Sequence, residues 1–177
     1  MNAHRINAGK FPDITTRRES DFFFIEDDDP DHVAMQIVDL VKSRLPSHYK
    51  VAPTDIQVLT PMQRGVVGAH NLNAALQEAL NPGDECLRRS GIAFRKSDKV
   101  MQIRNNYDKG VFNGDIGIIT ALDTEDRELT VEFDGRAVTY DVTELDELVQ
   151  AYAITIHKAQ GSEYPVVVMP VLMTHYV

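Results

Sequence analysis

The hydrophobic period of this chain switches near residue 91 and switches back near 145, and that double change constrains the fold more than any other feature. Ahead of the switch, strand-like and helix-like stretches alternate. Asp21-Phe22-Phe23-Phe24-Ile25-Glu26 reads as a buried strand bounded by acids. Asp29-Pro30-Asp31 then supplies a helix start, and Val33, Ile37, Leu40 and Val41 follow at helical spacing until Pro46. Asp55 to Pro61 reads as a second strand, and Leu72, Leu76 and Leu80 recur every four residues in a helix over about 69 to 80, closed by Asn81-Pro82-Gly83. Strand, helix, strand, helix predicts a parallel sheet. Between the switches the period is two, in short runs at Ile92, Lys99, Gly117, Glu128 and Ala137 separated by Asn113-Gly114-Asp115 and Asp134-Gly135. Leu129, Val131 and Phe133 share one face, facing Val138, Tyr140 and Val142 across the Asp-Gly turn. The expectation is an α/β domain with an all-β insert of about fifty residues, on the scale of a small SH3-like barrel.

Composition narrows the functions open to such a fold. Of 177 residues, 43% are hydrophobic, enough for a buried core. The net charge of −9, from 18 Lys+Arg against 27 Asp+Glu, excludes a protein that coats nucleic acid over a whole basic face. Any DNA contact must be a local track. Much of the acid lies in Glu26-Asp27-Asp28-Asp29 and Asp31, which reads as a solvated helix start rather than a metal site. The single cysteine, Cys86, excludes an internal disulfide and fits a reducing, cytoplasmic setting. The N-terminus has no apolar core of signal-peptide length and no apolar run approaches the length of a membrane span, so a soluble protein with no membrane partner is expected.

The chemistry gathers near the C-terminus. Tyr152 to Ile156 is an apolar strand, His157 to Tyr164 is polar around Gly161, and Pro165 to Pro170 holds a second strand of β-branched residues. Such a unit places polar groups at a strand end, where ligands collect in open parallel sheets. Thr155, His157, Gln160, Gly161 and Glu163 fit the signature Thr-x-His-x-x-Gln-Gly-x-Glu followed by a hydrophobic strand. This resembles motif V of superfamily 1 DNA helicases. Together with Val58-Leu59-Thr60-Pro61-Met62-x-Arg64-Gly65 and the position of the insert, it is similar to RecD-like ATP-dependent helicases, the exonuclease V alpha-subunit group.

That resemblance implies a partial RecA-like parallel sheet domain, residues 21–90 and 146–177, carrying an SH3-like insert at 91–145, with 1–20 as the tail of a first RecA-like domain. It implies an ATP-dependent DNA helicase as the parent enzyme, moving 5′ to 3′ on single-stranded DNA in unwinding, recombination and repair, with ATP and Mg²⁺ as cofactors. Other exonuclease V subunits and the rest of the helicase chain are the implied protein partners. Glu163, beside Gln160 and Gly161, would reach the ribose, and Arg5 would touch the γ-phosphate; a carboxylate accepts from ribose hydroxyls, and a guanidinium pairs with phosphate. His157 would lie against the DNA backbone. Each residue also has a plainer role: a His beside a strand is more often structural, and Arg5 suits an acid partner as well as a phosphate. The phosphate loop Gly-x-x-x-x-Gly-Lys-Ser/Thr, the acidic pair for Mg²⁺ and motif VI with its arginine finger do not occur in the sequence. The expectation is a C-terminal fragment, inactive in ATP hydrolysis alone.

Two groups of DNA contacts are expected. Thr60, Arg64, Gly65 and Gly68 precede the helix at 69, where free N–H groups and a guanidinium would meet a phosphate, unless the segment is simply a capped helix start. Thr155, His157 and Lys158 open onto the same edge. In the insert, Arg104-Asn105-Asn106-Tyr107 and Asn113-Gly114 offer amides and an aromatic to a strand, or else build tight turns. The rival reading is a non-catalytic module whose SH3-like barrel binds a peptide or nucleic acid. A third reading is an intact small nucleotide-binding protein, against which the missing phosphate loop argues.

Overall fold

The computed structural model describes residues 2–15 and 20–173. A short helix α1 (Asn2–Asn7) buries none of its residues. Helix α2 (Pro30–Asp39) starts where Pro30 and the Asp29 side chain predict, with Asp29 accepting from the N–H groups of Asp31 and His32. The helical path does not stop at Pro46. It widens into a π turn over Leu40–Arg44, in which the Leu45 N–H reaches the Leu40 carbonyl, and continues as α3 (Leu45–Tyr49). The wider turn takes up the i−4 bond that Pro46 cannot make, and Lys50, at φ 58°, ends the helix.

Three parallel strands form the sheet: β1 (Ile56–Thr60) lies between β10 (Val166–Val168) and β9 (Ala153–Thr155). Helix α4 (Ala69–Leu80) packs Leu72 and Leu76 onto this sheet beside Ile37 and Val41, as the four-residue spacing predicts. The run at Asp21 to Glu26 forms no strand. Phe23, Phe24 and Ile25 are each nearly half exposed. The Ser20 hydroxyl accepts from the Phe22 N–H and donates to the Phe22 carbonyl, occupying groups that a ladder needs, and an unalternating apolar run carries no strand period of its own.

The insert is antiparallel. A small hairpin, β2 (Leu87–Arg89) with β3 (Ile92–Phe94), precedes a five-stranded sheet of order β7-β6-β5-β4-β8, made of β4 (Lys99–Gln102), β5 (Ile116–Asp123), β6 (Glu128–Phe133), β7 (Arg136–Asp141) and β8 (Leu148–Gln150). Asp134 and Gly135 both take positive φ, 46° and 80°, the mirror-image turn that the Asp-Gly pair predicts. Leu129 faces Tyr140 and Val131 faces Val138, all buried. The antiparallel unit extends a few residues past the expected 91–145, with Leu87 and Leu148 in its core. The fold is therefore a partial RecA-like parallel sheet with an inserted SH3-like β unit. Among the described residues, no helix is long and apolar enough to cross a membrane.

Candidate functional site

The C-terminal ends of β1 and β9 form one edge. Thr60 and Thr155 are register partners on these adjacent strands, so the loops that follow them leave the sheet side by side. The two threonines differ. Thr60 is fully buried, and its hydroxyl donates to the Val67 carbonyl at 2.8 Å, closing the loop that follows it. It positions that loop rather than facing a ligand, a correction to its expected place among DNA contacts. Thr155 is half-buried, and its side chain makes no cap bond to the 3₁₀ turn Ile156–Ala159.

The loop after β1 also corrects the expectation of free helix-start donors. The Gly68 N–H bonds to Gly65 O at 3.0 Å, Ala69 N–H to Met62 O at 2.9 Å and His70 N–H to Gln63 O at 3.1 Å. The segment is a capped helix start, and the loop presents its side chains to solvent. Arg64 and Gly65 are exposed and line an open cleft with Asp31, Val66, His70 and Asn71. Gly65 takes φ +97°, and a Cβ on Gly68 would sit 2.4 Å from the Arg64 backbone, so both glycines shape the loop that carries the guanidinium.

The loop after β9 is exposed at His157, Lys158, Gln160, Gly161 and Glu163. Gly161 takes a positive φ of 85°, with no neighbouring atom within 4 Å of where a Cβ would stand. Partial burial of the Lys158 ammonium lowers its pKa. The Glu163 carboxylate carries no ion pair or hydrogen bond among the described residues. Arg5 stands apart on α1, where its Nε donates to the Phe11 carbonyl at 2.9 Å.

The insert reaches this edge through a small apolar cluster. Met101, Ala151, Ile154 and Ala159 are buried together, with Leu59, Ile116, Val149 and Tyr164 packed around them. Ile116 opens β5 directly after the Asn113-Gly114-Asp115 turn, so that turn lies beside the loop bearing His157. In the turn, Asn105 Oδ1 accepts from the Asn113 N–H at 2.9 Å, and Arg104 pairs with Asp146 at 3.3 Å. Asn105 thus supports the turn through its side chain, and Asn113 joins it through its backbone N–H.

A buried polar seam joins the two units, and sequence reasoning missed it. The Asp98 carboxyl group, fully buried before β4, accepts from Gln77 Nε2 at 2.6 Å, the Arg95 N–H at 2.7 Å, Asn81 Nδ2 at 2.8 Å and the Tyr152 hydroxyl at 2.9 Å. Asn73 bonds both sides of β9's start, at Ala153 N and O. The signal was present as amides at 73, 77 and 81, one helical face spaced by four, hidden beside the leucine stripe one residue earlier. Burial and the neighbouring Asp98 push the Tyr152 hydroxyl pKa up. Lys99 Nζ donates to the Thr54 and Ile56 carbonyls, and burial lowers its pKa to about 8.

With this geometry the comparisons with known proteins agree. Residues 72–133 match the family profile described as the ATP-dependent RecD-like DNA helicase SH3 domain, and residues 150–177 match the UvrD-like helicase C-terminal domain. Over these two stretches the chain is similar to RecD-like and UvrD-like helicases. The ATP-dependent RecD2 DNA helicase of Deinococcus radiodurans is 43% identical over 112 residues, which is 63% of this chain and 15% of that protein. The chain thus spans a small part of the curated relative it matches. Two solved Pif1 helicases share the fold. One, from Bacteroides in complex with ADP-AlF3 and ssDNA, gives a TM-score of 0.54 at 22% identity over 78% of this chain and 39% of its own. The other, from a study of unwinding at forked dsDNA by two coordinating Pif1 helicases, gives 0.50 at 24% identity over 76% and 36%.

Proposed function

We propose that this chain is the second motor domain, with its SH3-like insert, of an ATP-dependent DNA helicase that translocates 5′ to 3′ along single-stranded DNA. The observation that carries the reading is the in-register pair Thr60 and Thr155, which brings Arg64 and Gly65 on one loop and His157 and Lys158 on the next to a single sheet edge. Exposed cations on adjacent loops in a chain of net charge −9 make a local track for a phosphate backbone. Peptide recognition by the insert is disfavoured, because three of its five aromatics, Phe94, Phe133 and Tyr140, are core residues and leave only Tyr107 and Phe112 exposed.

The nucleotide lies at the boundary with a first RecA-like domain. An unpaired, exposed Glu163 next to the Gly161 turn fits a ribose hydroxyl pair, with Gln160 beside it. Arg5 reaches a γ-phosphate only by releasing the Phe11 carbonyl. ATP supplies the free energy of translocation; the phosphate loop and the acidic pair that would hold Mg²⁺ do not occur in these 177 residues. The 177 residues alone therefore show no ATP turnover above a heat-treated control, and a clear turnover refutes the assignment. The domain division at about residues 20, 90 and 145, a cytoplasmic location and association with exonuclease V subunits belong to the same reading.

The deciding experiment is DNA affinity against salt in the full-length protein. Arg64→Ala and His157→Ala each weaken binding regardless of sequence, and Arg64→Ala shallows the log-log salt slope by about one unit. If both variants keep the parental affinity and slope, the track runs elsewhere. In the same protein, Glu163→Gln weakens nucleotide binding by roughly 1.5 to 3 kcal/mol. Unchanged affinity leaves Glu163 outside the nucleotide site.

A further inference from the structure

The insert shows solvent one aromatic pair. Tyr107 is 77% and Phe112 46% exposed, with ring centroids 6.0 Å apart and planes at 77°. The insert's other aromatics, Phe94, Phe133 and Tyr140, are buried. The exposed pair is held from within. Asn106 and Val111 exchange backbone bonds of 2.8 and 3.0 Å across the loop, and Val111 is fully buried. The Asn106 side chain accepts from the Lys109 N–H and donates to Glu147, while the Phe112 N–H is held by Asp115 at 2.8 Å. A loop with this many internal bonds keeps two apolar rings in water as a preorganised surface.

Its charge says which surface it is. Arg104 is paired with Asp146, and Lys109 is paired with Glu144 at 2.6 Å while lying 4.4 Å over the Tyr140 ring. The cations around the tip are engaged within the insert, so the tip offers π faces rather than positive charge. Phe112 lies four residues before Ile116, which packs against the apolar cluster of Met101, Ala151, Ile154 and Ala159, the last of them in the turn that bears His157.

We propose that Tyr107 and Phe112 form a stacking platform for one unpaired nucleobase of the strand that crosses this edge. The proposal rests on the single-stranded DNA reading above and adds a base-dependent, salt-insensitive contact to its phosphate contacts. Every base has a π face, so the platform tolerates sequence.

The test uses full-length protein and two labelled strands of equal length, oligothymidylate and the same backbone with abasic sites throughout, titrated by fluorescence anisotropy over a salt series. Wild type binds oligothymidylate more tightly than the abasic strand. Tyr107→Ala, and more so Tyr107→Ala with Phe112→Ala, loses roughly tenfold on oligothymidylate and nothing on the abasic strand, with the salt slope unchanged. Tyr107→Phe keeps wild-type affinity, because the ring remains. Alanine variants that bind oligothymidylate like wild type overturn the platform while leaving the DNA reading intact, as does a wild type that binds both strands equally. A wild type that binds neither strand overturns both. Tyr107 is exposed, so its variants keep the parental thermal midpoint.

Discussion

The parallel unit and the antiparallel insert dispose of their surfaces in opposite ways. In the insert, five strands and a returning 3₁₀ turn close over a core from Leu87 to Leu148, and even the loop amides are used in building turns. The parallel unit has three strands and leaves Phe23, Phe24, Ile25, Val167, Met169 and Val171 exposed. It also carries the candidate groups Arg64, His157 and Glu163, which have no ion pair among the described residues. A self-sufficient insert can hold a rigid tip, whereas the open unit presents its chemistry on loops whose conformation depends on a few bonds, such as Thr60 to Val67.

The seam between them gives the largest expected effect. Asp98→Ala leaves the Gln77, Asn81 and Tyr152 donors and the Arg95 N–H without a partner, and costs about 3 kcal/mol or more in urea unfolding. Tyr152→Phe removes one donor only and costs about 1 kcal/mol. With the seam broken, the insert should melt separately from the parallel unit, giving two transitions by different probes. A single transition of unchanged midpoint for Asp98→Ala shows that apolar packing alone joins the units.

Alkaline pH probes the same seam. The folded state holds the Lys99 pKa near 8, below the ordinary lysine value, so between about pH 8 and 10 the unfolded chain binds the extra proton and stability rises with pH, by roughly 2 kcal/mol. Above pH 10 the trend reverses. Burial raises the Tyr140 and Tyr152 pKa values, so the unfolded chain loses those protons first. Denaturation midpoints across this range should pass through a maximum, and Lys99→Met should remove the rising limb. A monotonic fall in wild type contradicts the buried ammonium.

Two glycines compare the units directly. Gly117→Ala in the insert puts a Cβ 2.6 Å from the Glu132 carbonyl and from Val131 Cγ1, and costs about 1 to 3 kcal/mol with little effect on the distant loops. Gly68→Ala meets the Arg64 backbone at 2.4 Å. Its clash lies within the loop itself, so the smaller stability loss, about 1 kcal/mol, comes with displacement of the guanidinium and weaker DNA binding. Equal DNA affinity for the two variants breaks the contrast.

How much of this was legible follows from where each signal resides. Helix α4, the hairpin β6–β7 and strands β1, β9 and β10 came from local period and turn chemistry, which the sequence carries explicitly. The edge was legible too, because Thr60 and Thr155 each end an apolar strand. Phe22 to Ile25 misled because apolar character without alternation does not specify a ladder partner. Pro46 misled because a π turn accommodated it. The role of Thr60 and the Asp98 seam depend on which distant carbonyl or amide meets a side chain, and no local pattern encodes that pairing.

The smallest expected effect sharpens the comparison at its charged groups. Arg104 and Arg64 were equal candidates for phosphate contact in the sequence, and the structure separates them. Arg104 is paired with Asp146, their side chains 62% and 38% exposed, while Arg64 has no ion pair among the described residues. An exposed pair of this kind contributes well under about 1 kcal/mol, so Arg104→Ala should leave the thermal midpoint nearly unchanged. Its effect on DNA should also be slight. A guanidinium already neutralised by a carboxylate releases fewer counterions on meeting a phosphate, so the salt slope should change by less than half of the Arg64→Ala change. Asp146→Ala frees Arg104 and should steepen the slope instead. If Arg104→Ala matches Arg64→Ala in slope, the Asp146 pair opens on binding, and the insert contributes charge to the track as well as an aromatic surface.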